Sequence, residues 1–267
     1  MLTPMQSKLL EMLKWLTEYL DSHNIRYYAV GGTVLGAARH QGFIPWDDDI
    51  DIAVPRKDYD RLVEMMRTPV DHYIIETSES GSKDFRYNYA KFYDMNTTLQ
   101  ERLSQNLKRG VFIDVFPFDG LGNTQEEALA TFKGIDRLNM LLATKLCTFR
   151  RERSLLKNLS IIIGRIIPIS VHGLITKINA KCRMTDYDTS IYVCNCMGSY
   201  REREIIEKSL LGEPTLMQFE DMYIKCPQNY DGYLTHIYRN WRQLPPENKR
   251  HTAHDFIELD LNKPYKS

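Results

Sequence analysis

The 267-residue chain is short of several things, and each shortage narrows its function. It has no net charge: 35 basic side chains offset 35 acidic ones, which argues against bulk electrostatic binding to nucleic acid. It has no internal repeat, no low-complexity tract and no linker that divides it cleanly. Met1-Leu2-Thr3-Pro4 offers neither the basic region nor the apolar core of a signal peptide. Cysteine is sparse. Cys147, Cys182, Cys194, Cys196 and Cys226 are odd in number and unevenly spaced, which predicts reduced thiols in a cytoplasm rather than a disulfide framework. Cys194-x-Cys196 with Cys182 and Cys226 is a candidate zinc set, but its spacing is not the two-residue knuckle. The apolar run from Leu159 to Val171 is interrupted by Arg165 and Pro168 and is too short to span a bilayer. It reads as part of a buried helical hairpin, or as an interfacial patch that lies against the inner face of a membrane.

What is present is concentrated between Gly31 and Ile52, GGTVLGAARHQGFIPWDDDIDI. A glycine pair follows the apolar run Tyr27-Tyr28-Ala29-Val30 and precedes a helix-compatible stretch from Thr33. Strand, glycine turn and helix N-terminus together suit a phosphate site, because backbone N–H groups point outward there. The stretch closes on four aspartates in five positions. At strand geometry Asp47, Asp49 and Asp51 share one face, with Asp48, Ile50 and Ile52 on the other. Carboxylates about 7 Å apart along one face repel unless a divalent cation neutralises them. Carboxylate oxygens suit Mg²⁺ or Mn²⁺. The competing readings are a solvated loop and a calcium loop. Asp47-x-Asp49-x-Asp51 opens like an EF-hand, but Ile52 stands where that loop needs glycine.

The second anchor is Val111-Phe112-Ile113-Asp114-Val115-Phe116, apolar and β-prone, and so predicted as a buried strand. An unpartnered aspartate inside it would cost several kcal/mol or take up a proton. A metal shared with Asp49 and Asp51 removes that problem, and an arginine partner is the alternative.

These two segments resemble the signature of the LicD family, whose members transfer phosphocholine or related phospho-groups. More distantly they resemble the nucleotidyltransferase superfamily: a glycine pair (Gly31-Gly32), Asp-hydrophobic-Asp on a strand (Asp49-Ile50-Asp51), and a third acid on a neighbouring strand (Asp114). The resemblance implies an α+β fold with a nucleotidyltransferase-like mixed sheet flanked by helices, a helical insert and a small C-terminal β-containing part. A catalytic core over residues 1–122 and an insert with an acceptor-side region over 123–267 are expected. The resemblance implies Mg²⁺ or Mn²⁺ on Asp47, Asp49, Asp51 and Asp114, with Asp49, Asp51 and Asp114 catalytic and Asp114 able to take the acceptor's proton. Gly31, Gly32 and Thr33 would hold donor phosphates, countered by Arg39 and Lys91, and His254, ahead of His251, matches a histidine of the family.

CDP-choline is the implied donor, and a hydroxyl of a teichoic-acid precursor or other glycan, free or lipid-linked, the implied acceptor. The quaternary ammonium needs an aromatic cage, for which Tyr87, Tyr89 and Tyr93 are candidates. A nucleotidyltransferase moving NMP from an NTP would share every ligand, and a non-catalytic metal-binding adaptor is the reading from a different class. One departure is Arg239, where many relatives have glycine.

Local signals predict the elements. Thr3 caps a helix with Pro4 at its first position, and Leu9, Leu13, Leu16 and Leu20 give it an apolar stripe to about Ser22. Strands are expected over 26–30, 46–54 and 72–76. A hairpin is expected from 86–93 and 97–102 around Asp94-Met95-Asn96, and Pro117–Leu121 should end the second anchor strand. Long helices are expected over 123–150 and 155–183, strands within 216–226, and a helix over 230–241.

Overall fold

The computed structural model describes residues 1–80, 84–101, 107–147, 161–162, 164, 166–252 and 256–265. Helix α1, Pro4–Ser22, starts as its sequence dictates: the Thr3 side chain accepts from the Gln6 backbone N–H while the Gln6 side chain reaches back, a reciprocal capping box. Strand β1 is Tyr28–Ala29, followed by α2 (Gly31–His40), β2 (Asp51–Pro55) and α3 (Arg56–Met65). Strands β3 (Tyr73–Glu76), β4 (Ala90–Asp94), β5 (Thr98–Glu101) and β6 (Lys108–Arg109) lead to the long β7, Phe112–Gly122. Helix α4 (Gln125–Leu146) has a second capping box, Thr124 with Glu127. Helix α5 (Val171–Cys182), β8 (Tyr192–Cys194), β9 (Ile205–Glu207), the hairpin of β10 (Thr215–Phe219) and β11 (Met222–Cys226), α6 (Tyr230–Tyr238) and β12 (Phe256–Asp260) complete the chain. The α+β class expected from the sequence is borne out.

The central sheet runs β1-β2-β7-β4-β3, with β8 and then β9 added on β7. Only the β2–β7 pair is parallel in the central path; its register sets Asp51 beside Asp114. Strand β4 runs antiparallel on the other side of β7 and sets Lys91 beside Asp114. One main core packs α1 and α2 against this sheet. A second, smaller core joins α4, α5 and the β8–β9 edge through Phe132, Ile135, Leu174 and Ile178.

Three expectations change. The acidic segment is not a strand throughout: pairing begins at Asp51, and residues 47–50 are irregular. The expected hairpin does not form, because Asp94 N–H donates to the Val111 carbonyl and the Thr97 hydroxyl accepts from Val111 N–H. That bonding gives the free edge of β4 to β7, and β5 leaves to pair with β6 and β12. Strand β7 also does not stop at Pro117. It changes partner, pairing with β4 as far as Val115 and with β8 from Asp119 onward. Part of the apolar run 159–171 and the tail residue His254 lie outside the described residues. No helix among the described residues is long and apolar enough to cross a membrane.

Candidate active site

Asp51, Asp114 and Lys91 form one row across three adjacent strands. The row opens into a cavity of about 310 Å³, which Gly31, Gly32, Asp49, Asp51 and Asp114 help to line. The irregular loop carrying Asp47 is anchored from α1, where Gln6 Nε2 donates to the Asp47 carbonyl at 2.8 Å. Asp114 is fixed in the sheet by its N–H, which donates to the Ile50 carbonyl at 3.0 Å.

The glycine pair has a steric cause. Gly31 takes a positive φ of 58°, and a Cβ there would lie 2.6 Å from Asp51 Oδ2. A Cβ on Gly32 would lie 2.5 Å from Asp47 Oδ2. Two carboxylates therefore rest on the start of α2, where the macrodipole and free first-turn amides favour negative charge. The Tyr233 hydroxyl also accepts from the Gly31 N–H.

The electrostatics are those of crowded acid. Burial first, then Asp49, Asp114 and Asp47, hold the Asp51 carboxyl well above the ordinary carboxylate range, with Lys91 pulling the other way. Burial also raises Asp114, against the opposing pull of Lys91. Like charges in so tight a space ask for a cation, and an all-oxygen carboxylate set fits Mg²⁺ or Mn²⁺. Asp49, Asp51 and Asp114 are not among the trios whose ligand atoms all lie within 4.8 Å of one another. One ion held by all three therefore needs the side chains to draw in or water to complete its shell, which is the habit of Mg²⁺.

Several expected site residues sit elsewhere than the sequence suggested. Lys91 is buried behind Asp114, its Nζ 2.7 Å from Oδ1 and 3.3 Å from the Phe112 ring centroid, so its charge faces Asp114 rather than the cavity. The Thr33 hydroxyl accepts from the Asp51 N–H at 2.8 Å, and so supports the acid rather than a ligand. Arg39 lies at the far end of α2, where it donates to the Trp241 carbonyl at 3.1 Å and does not line the cavity. Tyr89 lines the cavity, whereas Tyr93 is buried against Phe112 and Tyr87 reaches Glu101. His254 lies outside the described residues.

The sequence reading missed the opposite wall. Asn195, Tyr200 and Glu204 come from the segment around β8 and β9, and Tyr233 and Tyr238 from α6. Tyr200 and Tyr238 meet edge to face with centroids 5.0 Å apart, and Tyr89 packs on Phe116 at 4.5 Å. Burial pushes the Glu204 carboxyl up to about 7, despite the Tyr200 N–H that donates to it at 3.2 Å. No motif marked Asn195, Tyr200 or Glu204. The only signal was the abundance of tyrosine, 16 in all.

The family described as LicD/FKTN/FKRP, nucleotidyltransferase domain, matches residues 24–136, which contain the glycine pair, the three aspartates that line the cavity, Asp47 and Lys91. The lipopolysaccharide cholinephosphotransferase LicD of Haemophilus influenzae is 26% identical over 252 residues, 92% of each chain. The ribitol 5-phosphate transferase FKRP of Homo sapiens is 40% identical over 48 residues, 18% of this chain and 10% of that protein. An uncharacterised protein of Rickettsia prowazekii is 43% identical over 58 residues, 22% of each chain. The resemblance read from Gly31–Ile52 and Val111–Phe116 therefore holds: residues 24–136 match the LicD-family nucleotidyltransferase domain.

Proposed function

We propose that the protein is a divalent-metal-dependent transferase that moves phosphocholine from CDP-choline to a hydroxyl of a cell-surface glycan. The observation that carries this reading is the register pairing of Asp51 with Asp114 beside Asp49, in a cavity whose far wall is aromatic. The likeness to a cholinephosphotransferase along nine-tenths of both chains supports the transferred group. The same protein and the ribitol 5-phosphate transferase support phosphoryl-group transfer as the general chemistry, and the former a glycan acceptor.

Asp49, Asp51 and Asp114, with Asp47 beside them, would hold Mg²⁺, which when bound neutralises diphosphate charge and favours loss of the nucleotide. The rest of the work falls to the chain itself. Lys91 keeps Asp114 ionised inside an apolar strand. Glu204, poised near neutrality, takes the proton of the attacking hydroxyl. A quaternary ammonium offers no hydrogen-bond donor, so it seats against ring faces, here those of Tyr200 and Tyr238. Tyr89 separates the cavity from a second, polar recess lined by Tyr59, Asp60, Thr77, Ser78 and Arg183, whose hydroxyls and charges suit a sugar. That recess is the acceptor side. Glycan precursors on lipid carriers would bring the protein to the inner face of the membrane.

Incubation with Mg²⁺ and CDP-choline, with and without a lipid-linked glycan, tests this directly. Release of CMP together with label transfer to the glycan is the expected result. Turnover of CTP with pyrophosphate release instead would make the protein a nucleotidyltransferase. No turnover of either nucleotide with any divalent cation would leave a metal-binding adaptor.

A further inference from the structure

Outside the acid cavity, four side chains from three separate segments converge in a dry part of the core. Cys182 is the last residue of α5, Cys194 the last of β8, and Cys196 follows two positions on. Asp119 of β7 is the cross-strand partner of Cys194. Ligand atoms of Asp119, Cys182 and Cys196 lie within 4.8 Å of one another. Cys196 is in hydrogen-bond reach of both Cys182 and Cys194, and the Cys182 thiol donates to Asp119. None of the four is more than 3% exposed. Cys226, which sequence spacing grouped with them, belongs to the other core cluster.

We propose that Cys182, Cys194, Cys196 and Asp119 form a structural site for one thiophilic divalent cation, zinc. Single buried cysteines are ordinary core residues. Two thiols and a carboxylate meeting from separate segments, with the Cys194 thiol outside that trio and needing to draw in as the fourth ligand, supply the sulfur-rich set that zinc takes in closed structural sites. Charge also closes. Arg56 holds Asp119 through both oxygens, Nε–Oδ1 at 2.6 Å and Nη2–Oδ2 at 2.9 Å, and so balances it. Zinc with two thiolates is neutral, so binding releases two protons to solvent and buries no net charge; the third thiol stays protonated or is a weak ligand. The oxygen lone pairs that Arg56 leaves on Asp119 remain for the cation.

The site would act on the cavity without touching it. Asn195 and Met197, the neighbours of Cys196, both line the cavity, as does the 198–200 segment that follows. Zinc would clamp this wall to the end of α5 and to the second half of β7, whose first half carries Asp114.

The test is the metal content of the full chain, expressed in zinc-supplemented medium and dialysed against EDTA. The expected result is about one zinc per chain, lost at least ~10-fold in Cys182→Ser and Cys196→Ser. Cys226→Ser should keep it, as should Asp49→Asn, which separates this ion from any ion in the acid cavity. If the cysteine variants do not fold, Co²⁺ exchanged into the unaltered protein should give a near-ultraviolet sulfur-to-cobalt charge-transfer band. A zinc-free protein without that band, with all five thiols titrating in denaturant, would overturn the proposal and leave core thiols only. A Cys182–Cys196 disulfide in the purified protein would overturn it too.

Discussion

The Lys91 ammonium and the Asp114 carboxylate face each other across β4 and β7, Nζ to Oδ1, at 2.7 Å, and both are almost wholly buried. A buried charge stripped of its partner costs about 3–5 kcal/mol, unless it takes up a proton. Lys91→Met should therefore destabilise the fold by a few kcal/mol and raise the Asp114 pKa further. Mg²⁺ should restore more thermal stability to this variant than to the parent, because the ion then does part of what the ammonium did. Thermal melts with and without Mg²⁺ check this; equal Mg²⁺ responses in the two proteins would separate Lys91 from the metal site.

Asp49→Asn and Asp114→Asn keep the shape of the cavity and remove the charge. Each should lower the rate at least ~10²-fold, the scale of losing one electrostatic stabiliser. Initial rates of CMP release measure it. Retention of full activity by both would show that the role assignment is wrong.

Glu204 predicts a pH signature. Its carboxyl is raised from 4.5 unfolded to about 7 folded. Below 4.5 both states hold the proton; between 4.5 and 7 only the folded state does, so stability falls as pH rises through that window. The full fall is of order 3 kcal/mol, and Glu204→Gln should flatten it. As a base Glu204 must be ionised, so the rate should climb through pH 7 in the parent and lose that limb in the variant. Chemical denaturation at stepped pH and a rate profile read the two effects separately.

Arg239 ends α6 at φ 65° and ψ −102°, a conformation that glycine adopts and a side chain resists. Arg239→Gly should stabilise the protein by about 1 kcal/mol, visible as a rise of several degrees in Tm at unchanged activity.

Ile162 and Ile166 are exposed on the apolar segment that precedes α5. Flotation with vesicles should carry the parent protein upward and Ile162→Asp less so. If parent and variant both stay at the bottom, the segment does not meet a bilayer.

The parts of the fold that were legible are those decided by neighbours in sequence. Thr3 with Pro4 announces a helix start, and the apolar run around Asp114 announces a buried strand. What escaped was decided by partners far along the chain. The turn at Asp94–Asn96 looks like a hairpin until Val111 takes the edge of β4. Asp47 and Asp49 read as strand residues because alternation was the only available guide, but they sit in a loop held by Gln6. Lys91 read as a counter-charge to phosphate because its carboxylate partner is 23 residues away. Glu204 and Tyr200 carry no motif at all; only the folding of the segment around β9 over the sheet brings them to the acids.

Gln6 spans two structures at once. Its carbonyl oxygen closes the first turn of α1, and its amide nitrogen grips the backbone of the acidic loop. The first turn of α1 is thereby a hand on the acidic loop: whatever frays it, be it a nearby protease or warmth, lets go of the Asp47 backbone before the sheet itself gives way.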